Sequence, residues 1–180
     1  MHVRSLLLLI SVALAGCATT TQPPIATVAH VDLQRYVGDW YVIANIPPWI
    51  EKGAVDSIEH YDLKTGGETP EIPTTFTYHE KRPDAPLRTL HSTAYVVDRQ
   101  SNAEWGVQFI WPFKAEYLIA WLADDYSQVI VARNKRDYVW YLSRTPSVSD
   151  ADLEAARMRI ARMGYDPGKL NIVPQRQNHR

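Results

Sequence analysis

The stretch VDLQRYVGDWYVIANIPPW (residues 31–49) is where the reading of this chain begins. Gly38 and Trp40 open a strand-like run over 38–46, which stops at the Pro47–Pro48 pair because proline fixes φ and removes a ladder donor. Working outward, short strand-like runs recur as far as Arg144, and no segment among them has a helical period. The predicted strands are 38–46, 55–64, 73–81, 89–98, 104–111, 116–123, 128–134 and 137–144. Phe76 and Tyr78 alternate with threonines, and Tyr117, Ile119 and Trp121 fall on one face of the sixth strand. Turn-forming segments separate the runs: KTGGE (64–68), RPDAP (82–86), RQSNA (99–103), DDYS (124–127) and NKRD (134–137).

Eight consecutive antiparallel strands leave two exposed edges, and closure into an up-and-down barrel removes both. Such a barrel has room for side chains and one small ligand. A β-sandwich gives similar strand spacing, so the pattern by itself leaves both open. After the strands, SDADLEAARMRIARMGYDP (149–167) predicts a helix with Ser149 as N-cap, acids in its first turn and arginines toward its end. Leu153, Ala156, Ile160 and Met163 share one face, and Gly164 stands at the left-handed cap position. The helix is therefore expected outside the strands, followed by a short ninth strand in KLNIV (169–173) and a free polar tail over 175–180.

The first residues have a different character. A basic head (Met1 to Arg4), an apolar run from Leu6 to Leu14 and the small residues Ala15 and Gly16 read as a secretory signal over 1–16, too short for a permanent span. Cys17 is the only cysteine of 180 residues, which excludes a disulfide within the chain. Leu14-Ala15-Gly16-Cys17 resembles the lipobox of bacterial lipoproteins. That resemblance implies a mature chain starting at a lipidated Cys17 and held at a membrane by more than one acyl chain. Ala18 stands where an aspartate would imply retention at the inner membrane, so the expected location is the outer membrane, facing the periplasm. ATTTQPP (18–24) reads as a solvated spacer, within a lipidated N-terminus and linker over 17–30. The net charge of −1 and pI near 6.6 give no basic patch for nucleic acid.

The residues quoted at the outset carry a wider resemblance. Gly38-x-Trp40 within DLQRYVGDWY, Asp125-Tyr126 in WLADDYSQVIV and Arg144 in DYVWYLSRTP are similar, in order and spacing, to the three signatures of the lipocalin family. The sequence around Gly38, with IANIP after it, resembles the bacterial outer-membrane, apolipoprotein D-like branch. The resemblance covers residues 31–174 and implies an all-β fold: an eight-stranded antiparallel up-and-down barrel with one C-terminal helix packed outside. It gives Gly38, Trp40, Asp125, Tyr126 and Arg144 structural roles. Trp40 is large enough to plug the closed end, and the flat guanidinium of Arg144 can lie on its indole while donating to carbonyls.

If Trp40 and Arg144 point inward, period-two parity places Leu142, Trp140 and Tyr138 along the inside of the eighth strand. Tyr117, Ile119 and Trp121 of the sixth strand and Val107 and Phe109 of the fifth are the matching candidates for a ligand cup. Core filling by the same aromatics is an equal reading of each one. An apolar cup with a few polar tips suits an acyl chain with its head near the mouth. The resemblance implies fatty acids or lysophospholipids as ligands, bound for storage or transport. Trp49 and Trp111-Pro112-Phe113 are expected in loops at the open end, either meeting ligand or membrane or packing on their own loops.

Catalysis has few candidates. Histidines 2, 30, 60, 79, 91 and 179 lack metal-ligand spacing, although His60, His79 and His91 lie in successive strands and could converge. No nucleophile elbow or phosphate loop is present. The expectation is therefore a carrier without catalytic residues, metal or cofactor, and the rival is an envelope enzyme acting on an amphiphile in the same cup. Pairing of two barrels into a homodimer is left open.

Overall fold

A computed structural model describes residues 22–176. Cys17 and the signal reading fall outside the described residues. Eight strands follow in chain order: β1 (Gly38–Ile46), β2 (Ala54–Tyr61), β3 (Glu71–Glu80), β4 (Leu87–Val96), β5 (Glu104–Ile110), β6 (Phe113–Leu122), β7 (Gln128–Ala132) and β8 (Val139–Ser143). Each pairs antiparallel with the next, and β1 pairs with both β8 and β2. The sheet thus closes on itself, and the sandwich alternative falls away because no edge is left to cover. A two-residue strand, β9 (Asn171–Ile172), adds to the outside of β1.

Two helices accompany the barrel. Helix α1 (Leu33–Tyr36), which the sequence pattern did not separate from the approach to β1, is capped by Asp32, whose carboxylate accepts from the amides of Gln34 and Arg35. It carries the fully buried Tyr36 under the barrel. Helix α2 (Asp150–Arg162) has the expected anatomy: Ser149 accepts from the Asp152 amide, Arg159 and Arg162 lie in the last turn, and Gly164 follows at φ +93°.

The closed sheet divides the apolar residues into two cores. Inside lie Trp40, Val42, Ile72, Phe76, Trp105, Ile119, Val129 and Leu142. Outside, Ile43, Leu118, Ile130 and Tyr141 meet Ala156 and Ile160 of α2, and these in turn meet Tyr165, Leu170 and Ile25. Strands β1, β7 and β8 are therefore buried on both faces, which explains why they read as continuous apolar runs. Among the described residues, both cores lie between Ile25 and Val173.

The segments flanking the barrel are more tightly held than their composition suggests. The Ile25 amide donates to Asn134 Oδ1 at 2.7 Å, the Val28 amide to the Ile119 carbonyl at 2.9 Å and the Val31 amide to the Ser101 carbonyl at 2.7 Å. Residues 22–31 are thus a strap laid along the barrel, because Ile25 has an apolar seat and a solvated linker would forfeit it. At the other end, Gln175 donates to the carbonyls of Val42 and Ser57, and Arg176 pairs with Asp56 at 2.6 Å. The expected free tail is in this part docked.

Candidate ligand cup

The base of the barrel is built around Trp40. Arg144 lies over its indole, with the guanidinium carbon 3.8 Å from the ring centroid, and donates to the carbonyls of Asp39, Arg35, Tyr36 and Val37 at 2.7–3.0 Å. The indole N–H donates to the Tyr36 carbonyl at 2.8 Å. Gly38 sits at φ +97°, with Arg144 Nη1 3.4 Å from where a Cβ would stand, so both conformation and space favour glycine. Asp125 accepts from the amide and hydroxyl of Ser127, closing the β6–β7 turn. Tyr126 accepts from the Asp32 amide and lies under Arg35, tying that turn to α1. All five signature residues are placed in the closed end.

Above this floor is a cavity of about 310 Å³ that opens between the β1–β2 connection, the end of β5 and the β7–β8 connection. Six of the sequence-proposed residues line it: Val107, Phe109, Tyr117, Tyr138, Trp140 and Leu142. Ile119 also points inward but is buried in the packed floor, outside the cavity lining. Trp121 does not point inward. The β6–β7 register shifts between Ile119 and Trp121, and the extra residue, Ala120, turns Trp121 to the outside, where Arg159 of α2 lies 4.3 Å from its ring centroid. Strict alternation through β6 fails at that one bulge.

The cup also holds polar groups that parity did not reveal. Tyr117 bridges two other hydroxyls, Tyr36 at 2.8 Å and Tyr61 at 2.9 Å, and stacks on Trp105 with ring centroids 4.9 Å apart. Burial raises the pKa of all three phenols, so they stay protonated. Two hydrogen bonds use two of their three protons, and one O–H remains to donate elsewhere. Glu51, from the 3-10 turn Trp49–Glu51, is buried and accepts from the Trp140 indole at 2.9 Å. Burial pushes its pKa up to about 7. Glu59 on β2 lines the same cavity, and burial followed by the Glu51 charge raises its pKa well above the carboxylate range. Arg133, also in the lining, is held by Asp137 at 3.1 Å and by the Tyr138 ring. The polar groups thus extend to the cup's floor and are not confined to its mouth.

The histidines do not converge. His60 and His91 flank Thr75 in register on β2, β3 and β4, while His79 sits near the opposite end of β3. His60 is hydrogen-bonded to Asp39, which raises its pKa, and faces Asp62. His91 contacts Thr75, and His79 contacts the Ala85 carbonyl and Arg176. Among the described residues no group of His, Cys, Asp and Glu is arranged to hold a metal ion.

At the mouth, Trp49, Trp111 and Phe113 are 83%, 80% and 76% exposed, which rules out loops packed on their own aromatics.

Residues 31–175 match the family model described as a Lipocalin-like domain. The chain belongs to the lipocalin family. It is 32% identical to outer membrane lipoprotein Blc of Citrobacter freundii over 163 residues, 89% of each chain, and 28% identical to apolipoprotein D of Rattus norvegicus, covering 94% of this chain and 95% of that one. Insecticyanin from the tobacco hornworm Manduca sexta superposes with a TM-score of 0.63 at 13% identity, over 86% of each chain; that likeness bears on the fold alone. Lipocalins are in general binding and transport proteins, and an apolar cup with one mouth is consistent with a small hydrophobic ligand.

Proposed function

We propose that this lipocalin binds fatty acids or lysophospholipids in the bacterial envelope, for storage or transport, while anchored through a lipidated Cys17 to the outer membrane and facing the periplasm. The observation that carries the reading is the cup: a volume of about 310 Å³, walled by Val107, Phe109, Tyr138, Trp140 and Leu142, with hydroxyl and carboxyl groups at its polar points. That volume is at the lower end of the range for small-molecule sites. The similarity to outer membrane lipoprotein Blc and the lipobox-like Leu14–Cys17 support the location. No residue of the cup is assigned a catalytic role.

Titration of the signal-free protein with lysophospholipid and with a long-chain fatty acid, followed by tryptophan emission, tests the reading. A saturable change at one ligand per barrel is expected from at least one class. Silence toward both classes would overturn it.

A further inference from the structure

The mouth of the barrel carries an exposed apolar rim, of which Trp49, Ile50 and Ile110 also line the cup while Leu87, Trp111 and Phe113 lie outside its lining. Trp49 and Ile50 in the β1–β2 connection, Leu87 at the β3–β4 turn, and Ile110, Trp111 and Phe113 around the β5–β6 turn are all exposed, and all stand at one end of the molecule. An apolar rim of this size, with two tryptophans on top, is unusual for a surface that meets only water.

Two further observations identify what it meets. The strap reaches the barrel at that same end: the Pro23 carbonyl accepts from Arg136 and the Ile25 amide donates to Asn134, both in the β7–β8 connection at the mouth. The first described residues therefore stand beside the rim, on the side away from the closed base. Charge is also divided along the barrel axis. The mouth connections hold Lys52, Lys81, Arg82, Arg133, Lys135 and Arg136 against Glu51, Asp84 and Asp137, while the base connections hold Asp62, Glu68, Asp98, Asp124 and Asp125 against Lys64 and Arg99. A net charge of −1 conceals a basic mouth and an acidic base.

We propose that the barrel docks mouth-first on a phospholipid bilayer containing anionic headgroups, with Trp49, Trp111 and Phe113 inserted at the interface and the basic connections against the headgroups. The first described residues then face the bilayer directly, and the acidic base points away from it. Ligand exchanges between membrane and cup without crossing bulk water. The docking surface goes beyond the carrier reading and does not depend on what occupies the cup.

The test uses the domain from residue 22 onward, which contains every described residue of both cores and lacks Cys17. It is sedimented with phosphatidylcholine vesicles and with vesicles that also contain phosphatidylglycerol. Partition onto the phosphatidylglycerol vesicles, weakened by salt, is expected, and the W111S/F113S variant, altered only at rim residues outside the cup lining, should lose at least tenfold of it while keeping its thermal midpoint and its lysophospholipid titration. Equal partition of the variant, or none by the parent domain on any vesicle, would overturn the proposal. So would a rim-dependent dimer in place of vesicle binding, which would assign the surface to a second copy. Loss of the titration alone would count against the carrier reading and leave the docking surface standing.

Discussion

The guanidinium of Arg144 lies 3.8 Å from the centre of the Trp40 indole and reaches four backbone carbonyls from that position. Both residues belong to the closed end, yet they come from opposite ends of the barrel sequence, so their contact joins β1 to the segment after β8. Stacking of this kind contributes about 0.5–2 kcal/mol, and hydrogen bonds from a charged donor add comparable amounts. Lysine keeps the charge but has neither the flat face nor the fork of donors. Arg144→Lys is therefore expected to destabilise the barrel by about 2–4 kcal/mol. Thermal unfolding checks this, and an unchanged midpoint would contradict the stacked pair.

Glu51 and Glu59 give the cup a pH dependence opposite to that of an ion-paired acid. Burial raises their folded-state pKa values, Glu51 to about 7, whereas in the unfolded chain both ionise near 4.5. The neutral carboxyls cost nothing below the unfolded value; as pH rises from about 4.5 to 7 the unfolded state alone loses its protons, and stability falls until Glu51 ionises in the fold too. The Glu51 shift corresponds to about 3 kcal/mol. Glu51→Gln should thus gain stability relative to the parent at pH 8 and not at pH 4, while keeping an acceptor for the Trp140 indole. Urea unfolding at the two pH values measures the difference, and a gain independent of pH would refute this account.

How far the cup could be read in advance follows from its geometry. Trp140 and Leu142 were legible because they lie two residues apart on β8 and the inward-facing Arg144, two residues further on, sets their phase. Trp121 was not, since nothing in YLIAWL (117–122) announces that Ala120 is the extra residue of a bulge. Glu59 was hidden by the register shift between Val55 and Ile58, which removes the phase reference for β2. The Tyr36–Tyr117–Tyr61 chain joins three segments far apart in sequence, and only closure of the barrel brings them together. The fold itself was more legible because the number of strands and their turns survive a one-residue slip, whereas the facing of a side chain does not.

Within that tyrosine chain the three hydroxyls are not equivalent. The Tyr117 hydroxyl is hydrogen-bonded to both of the others, and the Tyr61 hydroxyl to that of Tyr117. Removing the central hydroxyl leaves both outer phenols without their bond in a buried site, at about 1–3 kcal/mol, whereas removing Tyr61's leaves the Tyr36–Tyr117 bond intact. Tyr117→Phe is expected to destabilise more than Tyr61→Phe, measured by chemical unfolding of each. The reverse order would mean that the chain is not organised around Tyr117.

Trp121 and Trp140 lie on opposite faces of the barrel wall, and their exchange with phenylalanine separates wall from cup. Trp140 lines the cavity and donates to Glu51, while Trp121 packs under Arg159 on the outside. A ligand entering the cup changes the solvent and hydrogen bonding around the first indole and leaves the second where it was. Trp140→Phe should therefore remove most of the emission change seen on lysophospholipid titration, and Trp121→Phe should preserve it. The stability effects run independently of this readout: Trp121→Phe weakens the seat of α2, and Trp140→Phe leaves a buried carboxyl without its donor. A ligand response that survived in Trp140→Phe but disappeared in Trp121→Phe would move the binding site from the cup to the face under α2.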